Sequence, residues 1–420
     1  MTKHNLQPVR GTKDLHSQAI LHFNHIVEIA KKQAKNFGFD ELQTPIFEFS
    51  EIFLQNLGES SDIINKEVYA FFDRSKNSLT LRPEFTAAVA RAILSNPELL
   101  QVLPKKLFSY GPLFRYDRPQ KGRQRQFHQI NYEIFGCDSI YTDAEAILLS
   151  ASILENLGVS NLVSCQINSL GCNQTKQNYS KALHSYFADF ASQLSADSQN
   201  RLHKNPLRIL DSKDEADLAL VAKAPQIADF YSQQAQERFC QLTNFLTKLN
   251  IAHTINPKLV RGLDYYTSTV FEFVMQHEGA QNTVLAGGRY DNLIANMSGD
   301  KQQVPAIGFA CGIERLMLIS QYQAKTNHNI AVCYVAKEQQ EPAFSLATKL
   351  RQHDFAVFML NESNLKKQLK YANNTNCQFA LILGEDELKN NSVLCKNLLT
   401  AQQELLAIDN VVAFFNQQYA

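Results

Sequence analysis

The sequence has no surplus charge of either sign: 41 Lys and Arg balance 41 Asp and Glu across 420 residues. That excludes the strong basic excess of a general nucleic-acid binder, so any RNA contact must be local. The eight cysteines, at 137, 165, 172, 240, 311, 333, 377 and 395, form no Cys-x-x-Cys pair and no Cys/His cluster of zinc spacing. No metal site is expected from them, and they read as reduced, mostly buried thiols. No apolar run approaches the roughly 20 residues that span a bilayer. Residues 1–15, with Lys3, Arg10, Lys13 and Asp14, lack the apolar stretch of a signal peptide. A cytoplasmic protein with no membrane association is therefore expected. Internal repeats and low-complexity tracts are also missing.

What is present is a globular composition, 45% hydrophobic and 20% charged, with 27 Phe and 15 Tyr. The length favours two or three domains. Apolar residues at Ile20, Phe23, Ile26, Val27, Ile29, Ala30 and Ala34 recur at helical spacing before Gly38. Short segments at 41–49, 79–81, 106–115 and 126–135, rich in aromatic and β-favouring residues, read as strands. Residues 83–95 read as a helix with Pro83 in its first turn. From 172 to 241 the texture turns to Ala, Gln, Leu, Asp and Lys, predicting a helical insertion. Strand signals return at 269–275, 283–286 and 307–310, followed by a helix over 312–323. A polar connector at 321–329 precedes strands at 330–335, 355–360 and 379–383 that alternate with helices at 341–353 and 364–372. That alternation predicts a small α/β domain with a largely parallel sheet.

Five positive groups and one negative lie within residues 115–125, where Pro119 and Gly122 forbid a helix. Such a cationic loop between strands suits polyphosphate or an RNA backbone; a solvated hairpin tip is the alternative. On the strand that follows, Gln129 and Glu133 alternate with Ile130 and Ile134, aiming polar side chains at one face. Arg261-Gly262-Leu263-Asp264-Tyr265-Tyr266 can offer a fixed cation and phenolic hydrogen bonds to an anion, or else a surface turn with core tyrosines. Ala286-Gly287-Gly288-Arg289-Tyr290-Asp291 reads as a glycine pair after a strand, open to a ligand or simply a tight turn. Gly308 to Leu316 passes from strand to helix, with Arg315 near the helix start. Glu84 falls in the first turn of its helix, where the dipole favours a carboxylate in any case.

Taken in order, these segments resemble histidyl-tRNA synthetases of bacterial type. Arg10 to Asp14 and Thr44-Pro45-Ile46 resemble the family's start and its dimer-forming first motif; Thr80 to Thr86 resembles its amino-acid site. Residues 114–136 resemble motif 2, 261–266 and 286–291 the two histidine signatures, and 308–316 motif 3. The resemblance implies an α+β fold: an antiparallel class II sheet flanked by helices over 1–325, a helical insertion at about 172–241, and an anticodon-binding α/β domain over 327–420. The last of these holds 8 basic and 9 acidic residues, a net charge of −1, so anticodon binding there is implied by the family and not by charge.

The resemblance also implies roles. ATP would activate L-histidine to histidyl-adenylate, and the product would pass to the 3′ end of tRNA(His), in a homodimer. Glu84, Thr86, Gln129 and Tyr290 would hold the amino end of histidine, and Glu133 with Tyr265 and Tyr266 would complete its pocket, Glu133 and Tyr266 reading the imidazole. Arg115 and Arg261 would be the catalytic cations on the ATP α-phosphate, with Arg123 on the β- and γ-phosphates and Arg315 on adenine. Magnesium would accompany ATP without a protein metal site of its own. Arg118 and Gln120 would meet the tRNA acceptor end. Phe85 stands where the family pattern has glycine and is expected to crowd the backbone beside Glu84. Two rival classes are a histidine-sensing regulatory subunit of an ATP phosphoribosyltransferase, which lacks the anticodon domain, and a tRNA-sensing module of a kinase, whose phosphate loop is not found here.

Overall fold

The computed structural model describes residues 6–54, 67–120, 122–261, 265–276, 283–322, 329–362 and 364–419. Lys121 of the cationic loop, Gly262, Leu263 and Asp264, and the expected boundary between 325 and 327 lie outside the described residues. The chain divides into two compact units, Met1–Tyr322 and Gln323–Ala420.

The first unit is built on a sheet whose strands are β1 (Asp40–Glu41), β5 (Lys105–Phe114), β6 (Gln126–Phe135), β7 (Val163–Ser169), β8 (His253–Ile255), β9 (Thr269–Met275), β10 (Thr283–Arg289) and β11 (Ala306–Gly312). Their order is β1-β5-β6-β11-β10-β9-β7-β8. The six inner strands pair antiparallel throughout, and only the two short edges, β1 on β5 and β8 on β7, are parallel. The antiparallel α+β architecture implied by the sequence is therefore present. A separate antiparallel sheet, β2 (Phe47–Phe49), β3 (Tyr69–Phe72) and β4 (Ser78–Leu81), runs in the order β2-β4-β3.

Period-two alternation sorts the main sheet into two faces. Ile130, Tyr132 and Ile134 of β6 join Ile307, Phe309 and Cys311 of β11 in one core, packed against apolar residues of helices Ser17–Asn36, Ile140–Asn156 and Ile313–Ile319. The intervening positions, Gln129, Asn131 and Glu133 on β6 and Gly308, Ala310 and Gly312 on β11, take the opposite face. The insertion is helical, with Asn173–Ala188, Ala196–Lys204, Glu215–Ala222 and Gln233–Lys248. Its Leu183, Phe187, Leu202 and Ile209 continue a second core that includes Phe85 and Tyr290.

Several sequence expectations are corrected. The helix predicted from 83 begins at Thr86, so Glu84 acts from outside it. Residues 41–49 form two short strands separated around Pro45, because proline cannot donate to a ladder. Gly287 and Gly288 lie inside β10, paired on both sides, not in a turn after it. In the second unit the order is β13 (Val357–Phe358), β12 (Asn329–Tyr334), β14 (Cys377–Leu383), β15 (Ser392–Asn397), β16 (Gln403–Ala407). Its first three strands are parallel neighbours, whereas β14, β15 and β16 pair antiparallel, so the sheet is mixed and not largely parallel. All eight cysteines are free thiols; five are buried, while Cys172 and Cys240 are exposed.

Candidate active site

Residues from six distant stretches line one cavity of about 420 Å³ on the polar face of the main sheet, a volume suited to a small-molecule site. Arg115 enters from the end of β5, Arg123 from the β5–β6 loop, Arg261 from the segment before β9, and Arg315 from the helix after β11. Glu84, Thr86, Gln129, Asn131, Tyr265 and Tyr266 complete the group.

The four guanidinium groups feel one another. Burial first, then the neighbouring Arg123, Arg115 and Arg261, lower the Arg315 pKa to about 10, and burial likewise lowers that of Arg115. Arg315 stays charged at neutral pH, and the site gathers cations that an anionic ligand would relieve. Each is meanwhile anchored. Arg115 Nε donates to the Pro83 carbonyl at 2.9 Å, and its guanidinium lies 5.2 Å from the Phe127 ring centre. Arg123 pairs with Asp117 at 2.8 Å. Arg261 pairs with Glu272, whose second oxygen accepts from the Thr283 hydroxyl at 2.9 Å. Arg315 donates to the Thr283 carbonyl and to the Gly122 carbonyl at 3.4 Å, holding the loop and β10 together. A polyphosphate would thus compete for cations already fixed in direction, which spares reorganisation at the moment of reaction.

The carboxylates are arranged just as specifically. Glu84 accepts the backbone N–H groups of Thr86 and Ala87 at 2.7 Å each, satisfying the open end of its helix. Phe85 does not disturb this: its ring is buried in the second core, 4.5 Å beneath the Arg82 guanidinium, and Gly111 opposite leaves room for the stack. Glu133 is wholly buried. One of its oxygens accepts from the Thr86 hydroxyl at 2.6 Å and the Asn131 amide at 3.0 Å, and the other from the Tyr290 hydroxyl. Burial raises its pKa to about 7.

Glu133 can sit there only because its β11 neighbour is Gly308. A Cβ built on Gly308 would lie 1.5 Å from Glu133 Oε2. Gly287 and Gly288 serve the same close packing: a Cβ on the first would fall 2.4 Å from the Gly308 carbonyl, and on the second 2.9 Å from the Tyr266 ring.

Of the residues singled out by sequence, the structure thus brings Arg115, Arg123, Arg261, Arg315, Glu84, Thr86, Gln129, Tyr265 and Tyr266 onto one wall. Glu133 and Tyr290 lie one layer beneath it and are not on the wall themselves, because their hydrogen bonds close on each other and on Thr86. Arg118 and Gln120 are exposed on the loop and do not line the cavity. Sequence reasoning missed Glu272, although a charged residue between Phe271 and Phe273 in an apolar strand is a legible signal. It also missed Asp143, which is buried with Arg289 and accepts from its guanidinium, from the Thr269 hydroxyl at 2.7 Å and from Arg238 at 3.5 Å. Arg289 further pairs with Asp291 at 2.9 Å and fixes the end of β10 from which Tyr290 departs. Arg208 and Asp211 of the insertion, also unforeseen, line the cavity.

The family model described as histidyl-tRNA synthetase matches residues 11–316, and an anticodon binding domain model matches 329–418. A histidine–tRNA ligase of Wolbachia sp. subsp. Brugia malayi (strain TRS) is 47% identical, over 98% of each chain. The structure of apo Staphylococcus aureus histidyl-tRNA synthetase superposes with a TM-score of 0.82 at 30% identity, covering 98% of this chain and 100% of that one. An ATP phosphoribosyltransferase regulatory subunit/histidyl-tRNA synthetase from Bacillus halodurans C shares the fold, with a TM-score of 0.65 at 20% identity, over 90% of this chain and 98% of its own.

Proposed function

This chain belongs to the histidyl-tRNA synthetase family, and from that premise we propose how its cavity carries out the two steps of histidine attachment to tRNA. The activity is that of a histidine–tRNA ligase with ATP as a substrate. One observation carries the assignment of roles: Arg115 and Arg261, 146 positions apart in sequence (261 minus 115), line the same cavity as Glu84, Gln129 and Tyr266.

In the first step the histidine carboxylate attacks the ATP α-phosphorus in line and pyrophosphate leaves. The nucleophile is already ionised, so no general base is needed; position and charge supply the acceleration. Arg115 and Arg261 flank the α-phosphate, the latter by exchanging Glu272 for a phosphate oxygen. Arg123 takes the outer phosphates, leaving Asp117, and Arg315 takes adenine. Magnesium would add charge neutralisation on the phosphates. Glu67 and Glu272, hard oxygen donors in the cavity lining, are the residues that would hold it beside ATP.

Glu84, Thr86 and Gln129 hold the amino end of histidine. Burial raises the pKa of Tyr266, which keeps it a neutral phenol able to donate to one ring nitrogen. Glu133, beneath the wall, accepts from the other once the Thr86 side chain, which lines the cavity and donates to Glu133 Oε1, rotates away, while Asn131 and Tyr290 keep the carboxylate in place. Pyrophosphate exchange into ATP should therefore depend on histidine alone among the twenty amino acids. Equal exchange with a second amino acid would refute the pocket assignment.

In the second step the terminal tRNA hydroxyl attacks the adenylate. Arg118 and Gln120, exposed beyond the cavity, suit a macromolecular partner. Their alanine variants should charge tRNA about tenfold or more slowly, with pyrophosphate exchange nearly unchanged; equal damage to both reactions would rule this division out.

Assembly as a homodimer is supported by the β2-β4-β3 sheet. Cross-strand register places Phe47, Leu81 and Tyr69 in one row and Phe49, Leu79 and Phe71 in the next, on one face, with Phe47 and Phe49 each about half exposed. Glu48 and Thr80, on the opposite face, are buried. An open aromatic face of this kind marks a protein interface. Phe49→Asp should convert the dimer to monomer in sedimentation; a dimer of unchanged stability would place the interface elsewhere. No helix among the described residues is long and apolar enough to cross a membrane, and a cytoplasmic setting is part of the proposed reading.

A further inference from the structure

The helical insertion touches the active site directly. Its first helix, Asn173–Ala188, leaves β7 through Gly171, and the fit is close: a Cβ on Gly171 would lie 2.4 Å from Thr175 Cγ2. This places the next residue, Lys176, with its ammonium donating to the backbone carbonyl of Tyr266 at 2.7 Å. Further along, Arg208 and Asp211 line the cavity that Tyr266 also lines.

The Tyr266 segment is held at three consecutive residues. The Thr267 N–H donates to the Arg289 carbonyl at 2.7 Å, and the Ser268 carbonyl accepts from the Leu170 N–H at 2.8 Å. Those two bonds tie it to the main sheet by backbone alone. The bond at Tyr266 itself comes from a side chain of the insertion. It orients the peptide that carries the phenol, and the Tyr266 ring is in turn packed against Tyr265, with centroids 4.7 Å apart, and lies 5.7 Å from the Arg261 guanidinium.

We propose that Lys176 is a positioning residue for histidine recognition, through which the insertion sets the placement of Tyr266. A charge-assisted bond to a carbonyl fixes a peptide plane, and a phenol that must meet one ring nitrogen tolerates little drift. The proposal rests on the reading of Tyr266 as an imidazole partner, so its test has one arm that needs that reading and one that does not.

In pyrophosphate exchange, Lys176→Met should raise the KM for histidine about tenfold while leaving the KM for ATP within about twofold, and Lys176→Arg should restore most of the loss. A merely structural lysine would move both constants together or neither, and either result overturns the proposal, as does failure of the arginine variant to recover. Independently of catalysis, backbone hydrogen exchange of the ligand-free full chain over residues 265–268 should quicken about tenfold in Lys176→Met, the scale of one charged hydrogen bond. Unchanged exchange there overturns the contact even if the kinetics shift. Should the wild-type chain show no histidine dependence, the catalytic reading fails, and the hydrogen-exchange comparison still decides whether Lys176 holds Tyr266. Lys176→Gln, too short to span the gap, provides the same comparison if the methionine variant folds poorly.

Discussion

Replacing Arg261 with alanine is expected to slow histidine-dependent pyrophosphate exchange by on the order of 10²-fold or more, with the loss mainly in kcat. The guanidinium lines the cavity and is fixed by Glu272, which Thr283 fixes in turn. Charge that is already oriented gains most where negative charge builds up in the transition state, and an alanine leaves water to do that work. The same change leaves Glu272 without its cation, so the double variant Arg261→Ala with Glu272→Gln separates the two effects. It should be no faster than the single variant if the lost cation is the cause. A single variant with wild-type kcat would remove Arg261 from the chemistry.

Gly308→Ala should be comparably damaging for a steric reason. Its methyl group would fall 1.5 Å from Glu133 Oε2, well inside contact distance, and the rigid pairing of β11 with β6 gives the backbone no way to withdraw. The carboxylate must leave its place between Thr86, Asn131 and Tyr290, and the acceptor proposed for the imidazole is lost. Histidine-dependent exchange should fall by on the order of 10²-fold, while ATP affinity, which uses other residues, changes little. Equal loss of ATP binding would mean that the substitution unfolds the sheet instead of displacing Glu133.

The wall of the cavity was largely legible because its residues sit in recognisable strings: a cationic loop, an arginine before paired tyrosines, an arginine at the start of a helix after a strand. The six-stranded antiparallel order was not legible from alternation, which assigns faces but not neighbours. Residues 286–289 misled because glycine pairs usually mark turns; here they lie in mid-strand, where close packing against Tyr266 and Gly308 excludes a Cβ. Contacts made across distance left no local trace at all. Lys176 lies 90 positions before Tyr266, and Asp143 lies 146 before Arg289. Glu133 was found as a polar residue on the correct face, but its depth beneath Thr86 depends on Gly308 of another strand. In the second unit, alternating strands and helices through 383 predicted parallel pairing, and the β15–β16 hairpin that makes the sheet mixed went unseen.

The most direct measurement is the crystal structure of the chain with a non-hydrolysable histidyl-adenylate analogue. Its phosphate should lie between the Arg115 and Arg261 guanidinium groups, with Glu272 released and the imidazole within hydrogen-bond reach of Tyr266 and Glu133. A phosphate bound at Arg123 and Arg315 while Arg261 stays on Glu272 would contradict the mechanism.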